Sequence, residues 1–66
     1  MDKKIIGAKL KELRGERTLS EVSKSVGIST SALGMYETGR RIPQDEVKIA
    51  LAEYFNTTVD ALFYAR

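Results

Sequence analysis

Residues 18–37, TLSEVSKSVGISTSALGMYE, decide the fold. Thr18, followed by Glu21 three residues later, forms a capping box that opens a helix, and Val22 and Val26 then share one of its faces. Gly27 stops that helix, because glycine takes the left-handed conformation of a C-terminal cap at least cost. Ile28 follows as an apolar plug, and Ser29 is the N-cap of a second short helix over residues 30–37. In this second helix Leu33 and Tyr36 face inward, while Thr30, Ser31, Gly34 and Met35 face outward. Roughly three residues including a glycine join the pair, a spacing that makes two helices cross steeply.

Three more helix patterns surround this pair. A helix over about 3–14 carries Ile6, Leu10 and Leu13 inward, with Ile5 at its edge and Lys9, Lys11 and Glu12 outward. On the other side Gly39 ends the second short helix and Pro43 prevents its continuation. Gln44 or Asp45 then caps a helix over about 45–55, with Val47, Ala50, Leu51, Tyr54 and Phe55 apolar and Lys48 and Glu53 outside. Thr58 caps a last helix over about 59–64, in which Asp60 complements the dipole and Val59, Leu62 and Phe63 turn inward. No stretch alternates as a strand would. The expected fold is all-α: one domain over residues 1–66, a compact five-helix bundle in which helices 19–26 and 30–37 form a helix-turn-helix.

Composition narrows the chemistry. Cysteine and histidine are both absent from the 66 residues, which excludes disulfides, thiolate or imidazole metal sites, and Cys- or His-based catalysis. No metal, cofactor or small-molecule substrate is expected, and an enzyme is a remote reading. No signal-peptide core or membrane-length apolar run is present, so the expected location is the cytoplasm. Charge is uneven. Up to Pro43 nine Lys or Arg stand against five acids, and after it two stand against four. One part of the molecule can therefore present a positive face to a polyanion; a surplus of four is also ordinary for a solvated surface.

Two short helices joined by a glycine turn, the second presenting small polar side chains, have the layout of a DNA-reading helix-turn-helix. The succession IGAKLKELR, TLSEVSKSVGIS, SALGMYETGRRIP and LAEYFNTTVDALF resembles the Cro/cI-type, or XRE, helix-turn-helix family of phage and bacterial regulators. The resemblance runs from about Ile6 to Phe63 and implies a lambda-repressor-like DNA-binding domain whose third helix enters the major groove. It implies base contacts from Thr30, Ser31, Gly34 and Met35. It implies phosphate contacts from Ser29, Thr38, Arg40, Arg41 and Arg14, together with Leu19. It aligns Arg14 and Glu37 with an ion pair that ties helix 1 to helix 3, which physically would hold the reading helix while leaving a guanidinium edge for phosphate. The function implied is a sequence-specific double-stranded DNA-binding transcriptional regulator, a repressor of phage or prophage type, acting as a homodimer on a palindromic operator. Val59, Leu62, Phe63 and Tyr64, with the tail ALFYAR, are the expected self-association surface, unless they simply cap helices 1 and 4.

Three departures from the family pattern bear on function. Leu19 stands where members usually carry Gln at the start of helix 2, so only its backbone N–H is left for phosphate. Ser23 replaces the usual Ala in the middle of that helix. The outward face of helix 3 lacks Arg, Lys, Gln and Asn, the side chains that make bidentate pairs with guanine or adenine, each of which supplies about 1–3 kcal/mol of discrimination. Thr30, Ala32 and Met35 offer thymine-methyl contacts instead, and Ser31 a single hydroxyl bond. Gly34 lowers helix stability by about 1 kcal/mol relative to Ala; it either permits close approach to the groove or is a tolerated defect. The rival function is a helix-turn-helix protein-interaction module, anti-repressor-like, that no longer reads DNA.

Overall fold

A computed structural model describes residues 2–64. Its helices are α1 (Lys3–Arg14), α2 (Leu19–Val26), α3 (Thr30–Glu37), α4 (Asp45–Tyr54) and a final element, α5 (Asp60–Tyr64), wound as a π-helix. No strand occurs among the described residues. The chain is all-α, as its patterning predicts. α3 lies between α1 and α2, α4 closes over α2, and α5 packs on α1.

The helix ends follow from local chemistry. The Asp2 carboxylate accepts the N–H groups of Lys4 (2.9 Å) and Ile5 (3.2 Å), satisfying donors that the first turn leaves without partners. Thr18 Oγ1 accepts from the Glu21 N–H at 3.0 Å, Ser29 Oγ from Ala32 at 3.0 Å and Thr58 Oγ1 from Ala61 at 3.0 Å. The capping box at Thr18 is half made: among the described residues no bond returns from the Glu21 side chain. α4 stops at Tyr54, one residue before the expected end, because Asn56 takes the left-handed conformation (φ 55°). The N–H groups of Asn56 and Thr57 then turn back to the carbonyls of Glu53 (3.1 Å) and Ala52 (2.9 Å), the two bonds of a Schellman cap. Arg17 closes α1 from outside: its guanidinium donates to the carbonyls of Leu13 (2.8 Å) and Arg14 (3.2 Å) and lies over the rings of Tyr54 and Phe55.

The core is small and drawn from every helix: Ile6 and Leu10, Val22, Leu33 and Tyr36, Leu51 and Ala52, Leu62 and Phe63. Each fully buried Leu or Phe contributes about 1.5–3 kcal/mol, so few positions are expendable. Four sequence expectations are corrected here. Ile5 is 61% exposed and packs on nothing substantial. Ala50 is only half-buried, and its place in the core is taken by Ala52. Lys48, expected outside, is buried at 7% exposure. Its ammonium donates to the Tyr64 hydroxyl at 2.9 Å and sits over the Phe63 and Tyr64 rings, a cation–π arrangement on a stem that runs along apolar surface. Leu62 and Phe63, expected partly on a self-association surface, are 1% and 3% exposed. The wider π winding of α5 brings these sequence neighbours toward one face, and both enter the core.

Gly7 is the tightest point of the bundle. A Cβ there would lie 2.6 Å from the Tyr36 carbonyl oxygen and against that of Glu37, so α1 and α3 cross with backbone touching backbone. Gly7→Ala must push the two helices apart or strain both, and should destabilise the fold by about 1–3 kcal/mol, the usual cost of overpacking. Urea unfolding followed by far-ultraviolet circular dichroism measures this; unchanged stability would show slack at the crossing.

Candidate nucleic-acid interface

The turn between α2 and α3 is built by Gly27, whose φ of 86° is left-handed. Its N–H and that of Ile28 both donate to the Ser23 carbonyl, at 2.8 and 2.9 Å. Ser23 is itself buried, with its hydroxyl bonded to the Ser20 carbonyl at 3.3 Å. Only a small side chain fits there, which explains why Ser substitutes for Ala without disturbing the pair of helices.

From this turn α3 presents Ser29, Thr30 and Ser31 exposed, followed by Gly34 and Met35 half-exposed. All the residues expected to meet bases therefore reach solvent. Space around Gly34 is open: a Cβ there would meet nothing within 4 Å. The fold does not require this glycine.

The expected phosphate-binding residues divide into two groups. Arg40 and Arg41 are exposed, and among the described residues neither guanidinium has an ion-pair partner. Ser29 is exposed, and because its oxygen accepts the Ala32 N–H its hydroxyl hydrogen stays available to an acceptor outside. The Leu19 side chain packs on the core, while its N–H belongs to a first helical turn that lacks intrahelical acceptors. Thr38 and Arg14 are otherwise engaged. The Thr38 hydroxyl donates back into α3, to the carbonyls of Gly34 (2.9 Å) and Met35 (3.3 Å), which uses its single hydrogen.

Arg14 and Glu37 form the ion pair expected of them. Nε donates to Oε2 at 2.7 Å and Nη2 to Oε1 at 3.0 Å, a bidentate fork with both side chains largely covered, at 16% and 6% exposure. Nη1 donates to the Arg17 carbonyl at 2.7 Å. Most of the guanidinium is thus committed inside the protein, and little edge remains for a phosphate. The hydrogen bond to Glu37 raises the Arg14 pKa above its ordinary value, against an opposing effect of desolvation. A raised folded-state pKa gives stability that is fully present below the unfolded value, so the arginine side of the pair holds throughout the neutral range.

Arg17 was the residue whose role the sequence pattern did not signal: it is counted there only as charge, yet it seals the end of α1 beside this pair. Nothing in its spacing distinguishes it from a solvated arginine, since its partners Tyr54 and Phe55 lie far away along the chain.

The helix-turn-helix family model matches residues 10–62, from α1 into α5. No curated protein matches the chain.

A double-mutant cycle on Arg14→Met and Glu37→Gln should return a coupling in the upper part of the range of about 0.5–3 kcal/mol found for contacting residues, read from chemical unfolding. Coupling near zero would mean that α3 is held without the pair.

Proposed function

The chain belongs to the XRE-type, Cro/cI-like helix-turn-helix family, whose members are DNA-binding regulators, and on that premise we propose that it is a sequence-specific transcriptional repressor of phage or prophage type, acting in the cytoplasm as a homodimer. The observation that carries this reading is the pairing of a bare, accessible face on α3 with two unengaged arginines, Arg40 and Arg41, just beyond its C-terminal end. α3 lies in the major groove. Thr30 and Ser31 meet base edges, and Gly34 and Met35 face the groove further along the helix. Ser29, Arg40, Arg41 and the Leu19 N–H hold phosphates of the flanking strands. Thr38 and Arg14 act within the protein: Thr38 finishes α3, and Arg14 fixes it to α1.

With no side chain for bidentate base recognition on α3, phosphate contacts supply most of the affinity. Methyl contacts and the sequence-dependent shape of the duplex supply most of the discrimination. A single reading head of this size binds weakly, so two act together on half-sites about 34 Å apart. Since Leu62 and Phe63 are enclosed, the dimer surface is Tyr64 with the edge of Val59, joined by Ile49 of α4. Tyr64 and Ile49 are 53% and 52% exposed. Ala65 and Arg66, the end of the tail assigned to this surface from sequence, lie outside the described residues.

Selection of duplexes from a random pool at near-physiological salt tests the reading. An enriched site with two-fold symmetry and half-sites about 10 base pairs apart is expected. Retention without enrichment would leave a DNA binder that does not discriminate, and no retention would favour the protein-interaction module.

Gly34→Ala separates fold from function. Because the added methyl meets only open space, the variant should unfold later, by about 1 kcal/mol in the helix's favour, and yet bind the selected duplex less tightly because α3 can no longer approach as closely. Thermal melting and a binding titration read the two effects; tighter or equal binding would mark the glycine as a tolerated defect.

A further inference from the structure

The first turn of α1 lies against the loop that leaves α3, and the point of contact is Gly39. Its φ is 76°, and a Cβ on it would come within 3.1 Å of both Cα and Cγ of Lys4. Gly39 is also the left-handed residue of a Schellman cap on α3: its N–H and that of Arg40 return to the carbonyls of Tyr36 (3.2 Å) and Met35 (2.9 Å). Both requirements disfavour a side chain there, and the backbones of the loop and of α1 lie close together. Asp2, Lys3, Lys4 and Gly39 line a shallow, open depression at this junction.

The junction brings together Lys3 and Lys4 from α1 with Arg40 and Arg41 from the loop. All four side chains are exposed, and among the described residues none takes part in an ion pair. Of the carboxylates near in sequence, Asp2 accepts the N–H groups of Lys4 and Ile5 and Glu37 is held by Arg14. Asp2 keeps its negative charge, so the four cations leave a net surplus of three at the junction. Three other cations of this part of the chain are held, Arg14 by Glu37, Arg17 by the end of α1, and Lys9 by the Ala61 carbonyl at 3.1 Å; Lys11 and Lys24 are exposed as single charges away from this junction in sequence. Four like charges gathered across two elements repel one another in the free protein, and a polyanion relieves that repulsion.

We propose that Lys3 and Lys4 form, with Arg40 and Arg41, one continuous clamp on the phosphates of the DNA strand beside the C-terminal end of α3. This rests on the DNA-binding reading above and extends it to a second element outside the helix-turn-helix. The close approach at Gly39 sets the spacing of the two halves, so that when α3 enters the groove the start of α1 is carried to the backbone with it.

The test is the double variant K3Q/K4Q, with affinity for one selected duplex and one unrelated duplex measured across a range of salt concentrations. Each cation that neutralises a phosphate contributes about 0.9 to the slope of log affinity against log salt, so the loss of two should flatten the slope by about 1.8 on both duplexes. The order of preference between duplexes should not change. K3R/K4R, which keeps both charges, should restore the parent slope, and thermal melting establishes that each variant is folded. A parent-like slope and affinity in folded K3Q/K4Q overturn the clamp, as does a loss that K3R/K4R fails to restore. R40Q/R41Q is the reference: if it weakens binding while K3Q/K4Q does not, DNA binding stands and the clamp falls. If the parent protein binds no duplex, the DNA reading itself fails and the clamp with it.

Discussion

Everything the third helix can do depends on how it is held by the first. α1 and α3 touch at Gly7, where the carbonyls of Tyr36 and Glu37 occupy the space a side chain would need, and they are locked by the bidentate bond between Arg14 and Glu37. The two contacts differ in kind. Close backbone approach sets the distance between the helices, and the planar fork of the guanidinium sets their angle and register. A helix of eight residues has little stability of its own, and α3 buries only Leu33 and Tyr36. Its outward face, with Thr30, Ser31, Gly34 and Met35, is thereby left open to an outside partner.

The same constraint explains the chemistry of the exposed face. A short helix presenting Thr30, Ser31, Gly34 and Met35 makes few demanding hydrogen bonds, so its orientation has to come from the scaffold and from its rim. On the rim, groups that look alike in sequence have different employment. Arg14 and Thr38 are spent inside the protein, whereas Arg40, Arg41 and Ser29 are left to the solvent. Hydrogen-bond partners, more than residue type, separate the structural cations from those available to a phosphate.

At the opposite end, α5 completes the core instead of lying over it. Leu62 and Phe63 fill space against α1, and Lys9 of α1 reaches the Ala61 carbonyl. Lys48 is drawn in beneath the aromatic rings that follow. An ammonium held by one hydroxyl and two ring faces, with the Asp45 carboxylate at 3.8 Å, loses part of its hydration, which binds α4 to α5 while Tyr64 and Ile49 stay exposed.

The all-α class, the helix boundaries to within a residue, the glycine turn between α2 and α3, the outward face of α3 and the Arg14–Glu37 pair were all legible in the sequence. All but the last rest on local rules, 3.6-residue periodicity and caps within three residues of a helix start; the Arg14–Glu37 pair, 23 positions apart, was implied by the family resemblance. Tertiary structure decided the rest. Gly7 looks like an ordinary helix glycine until α3 is laid across it, and Lys48 looks solvent-facing until α5 folds over it. Leu62 and Phe63 read both as inward residues and as a self-association surface until the packing of α5 encloses them. The meeting of Lys3 and Lys4 with Arg40 and Arg41 joins residues more than thirty positions apart. Periodicity reports which face of a helix is apolar; which neighbour covers that face, and how closely, depends on contacts between segments that are distant along the chain.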